Sequence, residues 1–137
     1  TDGSAGANRA AAHGLSLAGA LDATVHALSV VDAVSLGLDV RSAISAQKQE
    51  ETANSAVDDI VSDAETHGVT ETVRHIAHGK PIESILETIE SNDIDAVVMG
   101  TTGSRGTDRI LLGSVAEKTV RSAPVPVMTI GSTEEQS

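Results

Sequence analysis

Along this chain the apolar positions change period several times, from helical to extended and back. "SAGANRAAAHGLSLAGAL" places Ala and Leu at helical spacing behind Ser4, a fair N-cap, and predicts a first helix of mostly small residues. "ATVHALSVVD" (Ala23 to Asp32) is apolar and rich in β-branched residues, which suits a strand buried on both faces. "AVSLGLDVRSAIS" has no clean period and reads as a connection. From about Ser45 to His67, Ala53, Val57, Ile60, Val61 and Ala64 share one helical face, and Gly68 supplies a left-handed stop. "VTETVRHIAHG" (Val69 to Gly79) alternates polar and apolar residues, as a strand nearer a sheet edge does.

Pro81 then opens a helix where its missing N–H costs nothing, and Ile82, Ile85, Leu86 and Ile89 give that helix a sharp apolar face. "IDAVVMG" (Ile94 to Gly100) is expected to be the best buried strand. A glycine-punctuated loop follows, then a helix from about Ser114 to Ser122, then a last strand in "PVPVMTIG". Alternating strands and helices predict an α/β fold: an open, Rossmann-like parallel sheet of five strands with helices on both faces. The opening "TDGS" has the look of a turn that follows a strand. A first strand, central in the sheet, is therefore expected to be missing from this sequence, which would leave its neighbours with bare edges. Residues 1–131 make one domain, and 132–137 a polar tail.

Composition narrows the function. With no cysteine, disulfides, thiolate catalysis and zinc–thiolate sites are excluded. No run approaches the ~20 apolar residues of a membrane span, and no signal peptide is visible, so a cytoplasmic protein is expected. A formal net charge of −11 argues against nucleic acid as a partner. Aromatic content is 0%, so a planar ligand would be held by aliphatic contacts and backbone hydrogen bonds. The acids are spread along the chain, and their surplus exceeds the ~2–8 charges that solubility alone asks of a small domain. The pattern resembles the surface of a halophile protein.

The chemistry gathers in "VVMGTTGSRGTDRILLGSVAEKTV" (Val97 to Val120). Gly100 closes a strand at the carboxyl edge of the sheet, where open α/β sheets bind ligands. Gly103 allows close approach to a ligand, and Gly113 and Ser114 stand where a helix begins, with free N–H groups and the positive dipole end. Ser114 could cap that helix and also donate its hydroxyl, and Arg105 and Arg109 add positive charge. Taken alone, such glycines make plain turns as often as phosphate sites. Neither a P-loop nor the G-x-G-x-x-G dinucleotide fingerprint is present.

The spacing Gly100-x₂-Gly103-x₉-Gly113-Ser114 resembles the ATP-binding signature G-x₂-G-x₉-G-[S/T] of the universal stress protein family. "TDGS", "ALSVVD" and "GKP" resemble further segments of that family, and "LLGSVAEKTVRSAPVPVMTI" resembles its characteristic ending. The resemblance covers essentially the whole chain. It implies that Thr1 and Asp2 lie by the adenosine half of a nucleotide, with the Asp2 carboxylate hydrogen-bonding it. It implies that Val30 holds adenine through its backbone and that Met99 and Gly100 line the floor. Gly103, Gly113, Ser114 and Val115 would hold the phosphates with a divalent ion, so the cofactor expected is ATP with Mg²⁺. The implied role is a nucleotide-dependent signalling or protective module in stress response, with slow ATP hydrolysis at most and no catalytic residues. A phosphate role for Arg105 is an inference from charge alone. Family members of this kind dimerise through the last strand, here Val125 to Ile130, and a homodimer is expected.

The rival readings are a dimeric interaction module of the same fold without nucleotide, and an adenylyl-transfer enzyme, for which the chain has no room for a substrate domain. The histidines do not look like a metal site. His75 and His78 would point to opposite faces of a strand, and His13, His26 and His67 are scattered. Asp58, Asp59 and Asp63 read as a solvated helix face, Asp93 and Asp95 lie at the wrong end of a strand for catalysis, and Asp32 at a carboxyl end is better placed.

A surface this acidic should be stabilised by salt. Its carboxylates repel over a Debye length of ~10 Å at 0.1 M, and added ions shorten that reach. The thermal midpoint is expected to rise steadily from low salt to molar KCl; a flat midpoint in a salt series would remove the halophile reading.

Overall fold

The computed structural model describes residues 1–32, 40–101 and 112–131. In chain order they form α1 (Ala5–Leu21), β1 (Val25–Val31), α2 (Val40–Ala64) with a 3₁₀ turn at Glu65–His67, β2 (Thr72–His78), α3 (Pro81–Ser91), β3 (Val97–Gly100), α4 (Ser114–Ser122) and β4 (Val127–Ile130). The tail 132–137 and most of the connection after β1 lie outside the described residues.

Local sequence explains most element ends. The Ser4 hydroxyl accepts from the Ala7 N–H at 3.2 Å and caps α1. Pro81 stands in the first turn of α3. Gly68, at φ 80°, ends the 3₁₀ turn in the left-handed region that side chains avoid. Helix α2 begins at Val40, ahead of the expected Ser45, because no Gly or Pro between Val40 and Ser45 interrupts a helix. Strand β4 begins only at Val127, after Pro124 and Pro126, whose missing N–H groups are tolerated ahead of a strand.

All described strand pairs are parallel: β1 with β2, from Val25 opposite Thr72 to Val31 opposite His78, and β3 with β4, from Val97 opposite Val127 to Gly100 opposite Ile130. They form two two-stranded sheets, in place of the single five-stranded sheet expected. The ladder shows where each pair stops. The Val25 N–H donates to Glu71 O and the Gly79 N–H to Val31 O, so the odd positions of β1 face β2. His26, Leu28 and Val30 turn their backbone groups to the other edge, and there the Thr1 amino group donates to Leu28 O at 2.7 Å.

Helix α2 packs on β1 and β2, while α1 packs on β3 and β4. The core is therefore built from small residues. Leu15 and Ala18 of α1 meet Ala64 and Val69, with Val25 and Ile60 against them. Val57 of α2 is wholly buried at 0% exposure, and a side chain of its type stabilises by ~1.5–3 kcal/mol when buried. Strand β1 alternates buried and half-buried positions, so it is covered fully on one face only. The expectation that "IDAVVMG" is the best buried strand does not hold. β3 starts at Val97 and its four residues are all half-buried, because among the described residues one edge alone is paired.

Small residues let α1 come very close to its neighbours. A Cβ on Gly19 would stand 1.9 Å from the His67 carbonyl oxygen, and backbone cannot yield as a flexible side chain can. Gly19→Ala is therefore expected to lower stability by ~1–3 kcal/mol, although Ala is the better helix former. Gly68→Ala, with open space around it, should cost only the ~1–2 kcal/mol of a left-handed residue. Denaturant midpoints of the two variants check the contrast.

Candidate functional site

The site is built around the carboxyl end of β3. A Cβ placed on Gly100 would lie 3.1 Å from the carbon and oxygen of Gly6 and 3.3 Å from the Ala7 nitrogen. The first turn of α1 thus rests on Gly100, and only a glycine admits it at that distance. One residue on, the Thr101 N–H donates to Ile130 O at 3.0 Å, while its carbonyl accepts from the Gly113 N–H at 2.6 Å. The start of α4 is thereby tied to the end of β3.

Two helix N-termini meet here, and they differ. That of α1 has a side-chain cap, the Ala7 N–H donating to Ser4 Oγ, and the turn before it is closed by the Gly3 N–H to Thr1 Oγ1 and the Ser4 N–H to Asp2 Oδ1 at 2.9 Å. That of α4 has no such cap among the described residues. Its N-cap residue is Gly113, in extended conformation at φ −67° and ψ 166°, with no side chain to offer. The first intrahelical bond runs from the Glu117 N–H to Gly113 O, so the N–H groups of Ser114, Val115 and Ala116 point out of the helix end. Ser114 was expected to cap this helix. It occupies the first helical residue instead, exposed, and its hydroxyl is not the cap. Glu117, an unfavourable charge for an anion in that first turn, is held by Arg121 at 2.8 Å.

Thr101 adds a second kind of donor. Val98 faces Gly14 of α1 and Gly100 faces Gly6, so Val97, Met99 and Thr101 leave β3 on the opposite face. The Thr101 hydroxyl oxygen is buried and has no hydrogen-bond partner among the described residues. A buried hydroxyl left unpaired costs ~1–3 kcal/mol, so its presence needs a reason. Sequence reasoning passed over Thr101, although it stands directly after the first glycine of the signature.

The remaining candidates fall into place around these. Thr1 lies on the free edge of β1 through Leu28 O, and the backbone of Val30, half-buried, is turned to that same edge. Asp2 has one oxygen engaged at Ser4. Met99 is half-buried on the Thr101 face, and Val115 is half-buried in the first turn of α4, its carbonyl accepting from the buried Thr119 hydroxyl at 2.7 Å. Thr1, Asp2, Val30, Met99, Gly100, Gly113, Ser114 and Val115 are thus all placed at strand ends or helix starts on the carboxyl side of the sheets. Gly103, Arg105 and Arg109 lie outside the described residues. Among the described residues no group of three or more His, Asp or Glu side chains could hold a metal ion, and no helix is long and apolar enough to cross a membrane.

The family model described as the universal stress protein family matches residues 1–131. A universal stress protein of Methanocaldococcus jannaschii is 48% identical over 52 residues, which are 38% of this chain and 31% of that protein's length. The chain thus aligns to about a third of that curated relative. Among solved structures, a universal stress protein in complex with cAMP superposes with a TM-score of 0.73 at 20% identity, covering 97% of this chain and 93% of that one. An Arabidopsis thaliana universal stress protein family protein with AMP bound gives a TM-score of 0.62 at 25% identity, over 90% of this chain and 76% of that one. With the family model matched from the first residue to the last described strand, this chain belongs to the universal stress protein family.

Proposed function

We propose that the chain binds an adenine nucleotide, ATP with Mg²⁺, and acts in stress response as a nucleotide-dependent signalling or protective module. The observation that carries the reading is the bare N-terminus of α4, hydrogen-bonded to the end of β3 beside the unpartnered Thr101 hydroxyl. Outward N–H groups and the positive end of a helix dipole suit a phosphate, and a buried hydroxyl suits a phosphate or ribose oxygen. The structures with cAMP and with AMP support adenine as the base. Thr1, Asp2 and the backbone of Val30 would take the adenosine half, and Gly113, Ser114 and Val115 the phosphates, with Gly103 and Arg105 on the loop between. With no cluster of acidic ligands among the described residues, Mg²⁺ would be held mainly by phosphate oxygens and water. No described group is placed as a base, so the reading is binding, with slow hydrolysis at most.

Calorimetry with ATP, AMP and cAMP, with and without Mg²⁺, tests this. Gly113→Val should abolish ATP binding, because the branched side chain would occupy the phosphate position. The fold should survive, since the extended backbone at Gly113 is one that valine adopts readily. Ser114→Ala should weaken binding and leave stability within ~0.5 kcal/mol, there being no cap to lose. Thr101→Val keeps the shape and removes a hydroxyl that has no partner, so stability should hold or rise while ATP affinity falls several-fold. Equal affinity in wild type and Gly113→Val, or no binding by either, would leave the dimeric interaction module as the function.

The second part of the reading is a two-fold homodimer through β4, with the two copies antiparallel. The Val97 N–H donates to Pro126 O and the Thr101 N–H to Ile130 O, so Val127 and Thr129 turn their backbone groups to the outer edge. Met128 is 43% exposed and Val120 48% exposed. An open edge with apolar residues beside it invites pairing. Sedimentation at micromolar protein in high salt should report a dimer. Thr129→Pro should report a monomer with the β3–β4 ladder intact, because it deletes only an outward N–H; a monomeric wild type would contradict the proposal.

A further inference from the structure

Away from the nucleotide site, β1 and β2 carry a pair of histidines that the sequence leaves far apart. His26 Nδ1 and His75 Nε2 are 3.0 Å from each other. The rings are stacked, with centroids 5.2 Å apart and planes at 18°. The register sets His26 opposite Val73 and His75 opposite Leu28, so the rings meet on one diagonal of one sheet face. Both are half-buried. Helix α2 packs on the other face, where Arg74 reaches Asp58 at 2.8 Å and His78 reaches Glu50 at 2.7 Å.

Two imidazoles can share a hydrogen bond only if one facing nitrogen carries a proton and the other does not. A first added proton can go to the far nitrogen of the donor ring, which keeps the bond and strengthens it. A second must go to the acceptor nitrogen, so that two N–H groups and two positive charges face each other. We infer that the His26–His75 pair is a one-proton switch on the packing of β2: neutral or singly protonated it ties β2 to β1, and doubly protonated it pushes them apart.

The carboxylates on the elements around the pair are solvent-exposed, so water and salt screen their pull on a second charge. Glu71 shares that face at the start of β2 and accepts from the Thr24 hydroxyl at 3.2 Å. Helix α3, which packs on β1, carries Glu83, Glu87 and Glu90, all exposed. Burial, and then His26, hold His75 below the usual histidine range. The folded state therefore takes up fewer protons than the unfolded chain just below pH 6.5, and stability is lost as pH falls from that value through the lower folded-state value. Among the described strands β2 pairs with β1 alone, so no second described strand would hold its outer edge in place.

Histidine side-chain NMR and amide hydrogen exchange between pH 7 and pH 5, in high salt, test the switch. In the wild type, His26 and His75 should titrate as a coupled pair, the second proton being taken up only at lower pH than the first. The amides of Val73, His75 and Ala77, which face β1, should exchange at least ten-fold faster at pH 5 than the intrinsic rate change explains, with α1 amides unaffected. In His75→Gln this excess should vanish. Independent titration of His26 and His75, or the same excess in the variant, would overturn the inference. If the variant does not fold, the wild-type titration decides alone.

Discussion

The close contact between Gly100 and the first turn of α1 is the constraint on which the rest of the site depends. It fixes where α1 begins relative to the end of β3. The next residue, Thr101, then binds β4 through its N–H and α4 through its carbonyl. Three elements are registered by two consecutive residues. Displacing that point would shift both helix starts together, so a glycine at 100 matters for the site even if it never touches a ligand.

The same point explains a division of labour between the two helix ends. Helix α1 carries a side-chain cap, Ser4 taking the Ala7 N–H, behind a turn that Thr1 and Asp2 close. Helix α4 keeps its donors turned outward, since glycine at its N-cap has nothing to offer them. In a protein of net charge −11 this local positive end is a notable exception to the overall field. Short-range hydrogen-bond donors, not net charge, would have to capture an anion here.

Much of this architecture was legible in the sequence, and particular residues show why. Ser4, Gly68 and Pro81 each do what local stereochemistry demands of them, so element ends could be read from them. The face of α2 was legible because Ala53, Val57 and Ala64 are buried at helical spacing. What stayed hidden was everything that depends on which strand lies beside which. The meeting of His26 and His75 depends on a register between residues far apart in the chain. The half-burial of β3 depends on how many neighbours it has. Ser114 looked like a cap because boundaries of one residue cannot be resolved from pattern alone. The unpaired hydroxyl of Thr101 is a property of the packed state and leaves no trace in spacing.

The bare start of α4 carries a thermodynamic consequence. Outward N–H groups beside a buried, unpaired hydroxyl leave the empty protein short of hydrogen bonds it could make. A molecule that supplied oxygens at that place to the folded chain alone would by mass action raise folding stability by ~2.7 kcal/mol at a hundred times its dissociation constant. Lifetime in the cell would then follow the abundance of that molecule, since chains caught unfolded are the ones proteases remove. A helix left uncapped in this way would couple the amount of protein present to the supply of whatever it held.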